Sequence, residues 1–204
     1  MGYPEMGRDP RRFREKMKTA LLIIDIQNEY FPGGKRELVR PMEGAQKAYN
    51  LLQCFREHGQ PTVHIQHIST GAGADAFLSG TPGANIHDSV AHFEGESLVI
   101  KHHPNSFRET KLLQLLKDWG TERVIITGMM THMCVDATAR AAADYGFMVF
   151  VAEDACATRD LTFGDTTVPA EHVHKAFMAA LMGYGKVMKA EEILAHLAVE
   201  HAGT

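Results

Sequence analysis

The sequence predicts a doubly wound α/β sheet, and three observations carry the prediction. Short, continuously apolar runs recur along the chain, longer stretches with helical apolar spacing lie between them, and each of those stretches closes on a glycine. An apolar run too short for a helix and too uniform for a one-faced strand marks a central parallel strand, buried on both sides. Strands that alternate with helices through right-handed crossovers carry helices on both faces of the sheet.

The elements follow in order. Residues 1–18 are polar, basic in the middle and without apolar periodicity, so they are read as an N-terminal arm, with 19–204 as a single domain. The run T-A-L-L-I-I-D-I at 19–26 is the first strand. Helical spacing over 41–58 starts with Pro41, suited to a first turn, and ends before Gly59, suited to the residue past a helix end. Strands at 61–68 and 97–101 come next. The helix at 110–119 buries the stripe Leu112, Leu113, Leu115, Leu116 and Trp119 and closes at Gly120. A strand at 123–127, a helix at 133–145 closing at Gly146, a strand at 147–152, a helix at 168–182 with Pro169 near its start and Gly183 at its end, and a weaker strand at 186–188 complete the chain. Five or six strands result. The connections 69–96 and 158–167 are long for such a fold and rich in small polar residues; the first is expected to set specificity.

With 204 residues, the chain fits one domain at roughly 100 to 200 residues per domain. Its 21 basic and 25 acidic side chains, net charge -4, form no basic stripe, so nucleic acid is not an expected partner. Nothing approaches the roughly 18 consecutive apolar residues of a membrane span, and the first residues carry charges where a signal peptide is apolar. A cytoplasmic protein without a membrane partner is expected. Cys54, Cys134 and Cys156 are an odd count without a C-x-x-C pair, which fits reduced thiols.

Ligands of doubly wound sheets bind beyond the carboxyl ends of the strands. Asp25, Lys101 and Cys134 all fall at such ends. An acid in an apolar strand needs a partner, and Lys101 is the natural cation; a purely structural ion pair is the plain alternative. Cys134 opens a helix, where the helix N-terminus and an ammonium favour thiolate, and the free N–H groups of that turn suit an oxyanion. Asp25 is then the group to take the thiol proton and return it to a leaving amine. A small buried cysteine is the plain alternative for Cys134. No G-x-S-x-G elbow, P-loop or G-x-G-x-x-G is present. Of the twelve histidines, His64 and His67 fall on opposite faces of a strand and His172 and His174 diverge on a helix, so neither a metal nor another cofactor is expected. Gln27, Asn28, Tyr30, Phe31, Phe107 and His132 follow strand ends or adjoin Cys134 and are candidates for a substrate pocket, with packing the alternative for the aromatics. Cys156, in D-A-C-A, is read as a turn residue after the fifth strand.

Four tracts, A-L-L-I-I-D-I-Q-N-E-Y-F, V-I-K-H-H-P-N-S-F-R-E-T, V-I-I-T-G-M-M-T-H-M-C-V-D-A-T-A-R-A-A and D-A-C-A-T-R-D-L, resemble the isochorismatase-like cysteine hydrolases over about residues 18–188, with the last two most similar to streptothricin-hydrolase-like members. The resemblance implies a six-stranded parallel sheet and a triad of Cys134 as nucleophile, Asp25 as base and acid, and Lys101 as supporting cation. It further implies a cis peptide at Met129-Met130, an oxyanion hole from the N–H groups of Met130 and Cys134, a small-molecule substrate, and dimers or tetramers. Nicotinamidases of that family bind metal through Asp-x-His after the second strand; here H-I-Q-H-I-S has no Asp. Isochorismatases proper cleave a vinyl ether and commonly lack the cysteine, so Cys134 points to hydrolysis of an amide, ureido or lactam C–N bond through an acyl-thioenzyme. A vinyl-ether hydrolase and a non-catalytic ligand-binding or redox-responsive protein are the alternatives.

Overall fold

The computed structural model describes residues 17–202, so the predicted arm at 1–18 lies, but for its last two residues, outside the described residues. Six strands form one parallel sheet in the order β3-β2-β1-β4-β5-β8. These are β1 (Thr19–Ile24), β2 (Thr62–His67), β3 (Ser97–Lys101), β4 (Arg123–Met129), β5 (Met148–Ala157) and β8 (Lys186–Met188). The helices α1 (Pro41–Glu57) and α5 (Ala190–Ala202) cover one face. On the other lie α2 (Leu112–Asp118), α3 (Asp136–Asp144) and α4 (Ala170–Leu181).

The apolar alternation within each strand explains the two layers. Leu21 and Ile23 of β1 join Leu51, Leu52, Phe55, Ile193 and Leu197 in the first core cluster, while Leu22 and Ile24 join Leu112, Leu116 and Ala139 in the second. Every residue of β1 and β4 is buried, as parallel strands flanked by helices require. The order reverses between β1 and β4, and in such sheets ligands bind at the carboxyl ends of the strands beside the switch point.

Three features depart from the sequence reading. Part of the 158–167 connection is not a plain loop: with the next residue it forms a small antiparallel hairpin, β6 (Leu161–Phe163) and β7 (Thr166–Val168). Helix α5 was not among the predicted elements. It buries Ala190, Ile193 and Leu197, its first N–H is capped by Asp154 of β5, and Glu200 pairs with the buried Arg123. Its position is therefore set by partners far away in the chain. Third, Cys156 is not in a turn. The register of β4 and β5 shifts between Ile126 and Gly128, after which pairing resumes with Gly128 opposite Cys156, so β5 runs on through the acidic pair Glu153 and Asp154.

Candidate active site

Each of the three reactive side chains is delivered by the end of a strand. Asp25 follows β1 directly and leaves it at φ +50, a left-handed turn that an aspartate tolerates better than most side chains. Lys101 is the last residue of β3 and is fully buried, while Ile100 before it faces outward on this edge strand. Cys134 lies in a turn of π-type hydrogen bonding, Thr131–Val135, between β4 and α3; such widened turns recur at functional sites. The Met129-Met130 peptide just before it is cis. Gly128 makes this arrangement sterically allowed. It has φ +130, and a Cβ there would lie 2.0 Å from the carbonyl oxygen of Ile24, so only glycine lets β4 pass this close to β1 beside the site.

The three groups converge although β2 separates β1 from β3. Lys101 Nζ lies 2.6 Å from Asp25 Oδ2 and donates to Cys134 Sγ at 3.2 Å and to the carbonyl oxygen of His103 at 3.2 Å. The ammonium thus has an ion-pair partner and two hydrogen-bond acceptors at fixed places. Asp25 and Lys101 are fully buried, and Cys134 is 6% exposed.

The electrostatics correct one expectation. A helix start and an ammonium were expected to favour thiolate, but burial pushes the Cys134 thiol well up, the Asp25 carboxylate pushes it further, and Lys101 only partly opposes them. The balance favours the neutral thiol. For Lys101, burial favours the neutral amine, yet the contacts with Asp25 and Cys134 outweigh it and raise its affinity for the proton. These two directions favour an ammonium beside a thiol.

The remaining candidates divide. Tyr30 is buried against Phe77, with ring centroids 4.9 Å apart; burial raises its phenol well above the ordinary range, and nearby Asp25 adds to this. Phe31 is buried and stacks on His87 at 3.7 Å. Gln27 is not available to a substrate. Its amide donates to the carbonyls of His67 and Ala84 and accepts from the N–H of His67, so it staples the ends of β1 and β2 to the 69–96 connection. Asn28 similarly donates to the Pro82 carbonyl. Phe107 takes the packing alternative, against Tyr145 and Phe147 in the second core. His132 turns toward the end of β5, with Nδ1 2.6 Å from Thr158 Oγ1.

His67 went unassigned in the sequence reading. It ends β2 between Asp25 and Lys101, and burial lowers its pKa, with Lys101 adding to the effect. The strand-end argument used for Asp25 applies to it equally, and its position in H-I-Q-H-I was the available signal. Among the described residues, no group of three or more His, Cys, Asp or Glu is placed to hold a metal ion.

Comparison with known proteins agrees with this architecture. The model of the isochorismatase domain matches residues 19–192. The chain is 50% identical over 176 residues to YddQ, an uncharacterized isochorismatase family protein of Bacillus subtilis, covering 86% of this chain and 98% of that one. It is 32% identical to a streptothricin hydrolase of Streptomyces noursei, over 79% of this chain and 59% of that one, and 30% identical to Nicotinamidase 3 of Arabidopsis thaliana, over 76% and 79%. The crystal structure of an isochorismatase from Pseudomonas putida KT2440 superposes with a TM-score of 0.80 at 34% identity, over 86% of this chain and 89% of that one. By its matched domain, its sheet order and these relatives, the chain belongs to the isochorismatase family of hydrolases.

Proposed function

We propose that this hydrolase cleaves a C–N bond of a small amide, ureido or lactam substrate through an acyl-thioenzyme on Cys134. One observation carries the reading: a thiol, a carboxylate and an ammonium, all buried at the switch point, meet within hydrogen-bonding distance around Lys101 Nζ. The names of two relatives, a streptothricin hydrolase and a nicotinamidase, support the reaction class.

The cycle follows from the resting charges. Asp25 takes the thiol proton as sulfur attacks the carbonyl carbon, and Lys101 offsets the negative charge passing to sulfur. The N–H groups of Met130 and Cys134 receive the oxyanion. As the C–N bond breaks, Asp25 returns the proton to the leaving nitrogen. Water then attacks the thioester, again giving a proton to Asp25, and the acid leaves as the thiol is restored. Because the thiol is neutral at rest, proton transfer is coupled to attack, and the nucleophile forms only when a substrate carbonyl is present to use it.

The test is a panel of primary amides, ureido compounds and lactams offered to the parent and to Cys134→Ala. Turnover by the parent is expected to disappear in the variant, and an acid-quenched parent sample is expected to gain the mass of the acyl group on the peptide containing Cys134. Full turnover by Cys134→Ala would overturn the nucleophile assignment. Reversible peroxide-dependent loss of the thiol without turnover on any substrate would favour the redox-responsive reading.

A further inference from the structure

The nucleophile turn has a second set of supports, on a side that the triad does not touch. Thr131, which opens the turn, is fully buried; its Oγ1 lies 3.3 Å from the carbonyl oxygen of Ala157 and 3.0 Å from His174 Nδ1. His174 projects from α4, and its other nitrogen, Nε2, lies 3.5 Å from Glu153 Oε2 on β5. Glu153, Ala157 and His174 line a cavity of about 310 Å³ between the starts of α1 and α4, and none of Asp25, Lys101 and Cys134 lines it.

We propose that Glu153 and His174 are a positioning pair for the nucleophile, holding Thr131, and through it the turn that carries Cys134, against the end of β5. This rests on the reading of Cys134 as the nucleophile. The hydroxyl arithmetic shows why a histidine suits the place. Thr131 has one proton to donate and two neighbours, of which the Ala157 carbonyl can only accept. With Nε2 facing the Glu153 carboxylate at 3.5 Å, a neutral ring protonated there offers Nδ1 as an acceptor and competes with Ala157 for that proton. A protonated ring donates at both nitrogens, and the chain Glu153, His174, Thr131, Ala157 is then satisfied at every link. In both states Glu153 fixes the ring and the ring fixes the hydroxyl. His132, the next residue, is tied to Thr158 by its own side chain, so two successive residues of the turn are anchored to the end of β5.

Two variants separate positioning from bulk packing. His174→Asn keeps an amide group where Nδ1 stood and can still reach Thr131; His174→Gln places its amide near Nε2 and leaves Thr131 without that partner. Hydrogen exchange of the peptide spanning 129–136 is expected to quicken by roughly five- to tenfold in His174→Gln and in Thr131→Val, the equilibrium equivalent of one lost neutral hydrogen bond. His174→Asn is expected to restore the parent rate. Acylation by p-nitrophenyl acetate, followed as p-nitrophenolate release, is expected to fall in the same variants and recover in the same one. Equal exchange of this peptide in the parent and all variants overturns the inference, as does failure of Asn to outperform Gln. Absence of acylation in the parent, with the exchange pattern as expected, counts against the acyl-thioenzyme reading and leaves the positioning pair standing.

Discussion

Lys101 Nζ stands 3.2 Å from Cys134 Sγ and 2.6 Å from Asp25 Oδ2, and burial first, then the carboxylate, hold the thiol's pKa up against the pull of the ammonium. The carboxylate claims the closer contact and, acting on the sulfur as well, cancels what the lysine would otherwise do. In the proposed cycle, Lys101 thereby holds Asp25 and Cys134 in register without activating the thiol prematurely.

Removing the carboxylate charge separates reactivity from turnover. In Asp25→Asn the thiol loses the anion that raises its pKa while Lys101 remains, so alkylation of Cys134 by iodoacetamide near neutral pH is expected to quicken as amide turnover is lost. In the parent, alkylation should rise with pH throughout the range above neutral, because a raised thiol remains protonated there. Site-resolved mass spectrometry, with Cys54 and Cys156 as internal references, measures both. Slower alkylation in Asp25→Asn would show that the carboxylate does not hold the proton on sulfur.

Lys101→Met leaves the Asp25 carboxylate buried without a cation. A loss of about 3–5 kcal/mol is expected, measured by urea unfolding. Adding Asp25→Asn should recover a large part of that stability but none of the activity. Additive losses in the double variant would mean that the two side chains are not energetically coupled.

Acid stability should show the marks of a cluster away from Asp25, Lys101 and Cys134. Burial pushes His64 down to about 4 against the opposing pull of Glu96, whose Oε2 is 3.0 Å from its Nε2. Burial alone would raise Glu96, but hydrogen bonds from Arg56 and from the Phe93 N–H bring it to about 2. For His64 the folded value lies below the unfolded one, so the unfolded chain binds the proton first. Its contribution is whole above about pH 6.5 and is lost on descending to about pH 4, by about 3 kcal/mol in all. The Glu96 contribution is whole above its ordinary value of 4.5 and fades toward about pH 2. His64→Gln should therefore flatten the upper part of the stability profile and leave the lower part; equal pH dependence in both proteins would remove His64 from the account.

Two glycines should respond oppositely to alanine. At Gly128 the added Cβ meets the Ile24 carbonyl oxygen at 2.0 Å with φ at +130, and Gly128→Ala is expected to lose more than about 4 kcal/mol or fail to yield folded protein. At Gly44, inside α1, the nearest atom would be 3.5 Å away, an ordinary contact, and Gly44→Ala is expected to gain roughly 0.5–1 kcal/mol. Thermal unfolding of the two variants checks both signs.

Gln27→Ala tests whether that residue staples or binds. Three hydrogen bonds end on its amide, and their loss is expected to cost about 2–4 kcal/mol. The KM for any substrate found should hardly move. A large rise in KM without loss of stability would return Gln27 to the substrate pocket.

Read from sequence alone, the six strands of the main sheet, helices α1 to α4 and the places of Asp25, Lys101 and Cys134 at strand ends were legible, because each depends on local pattern: apolar runs, glycine helix ends, and a reactive residue where a run stops. What only the tertiary structure decided involves partners distant in the chain. Helix α5 takes its place from Asp154 and Arg123, the far half of β5 from its renewed pairing with Gly128, and the assignment of Gln27 to the scaffold from His67 and Ala84. The resting protonation of Cys134 belongs to the same group. Sequence placed the thiol beside a helix start and a lysine, both of which favour thiolate. The fold added burial and a carboxylate, and desolvation in a closed site outweighs the attraction of a cation already paired with that carboxylate.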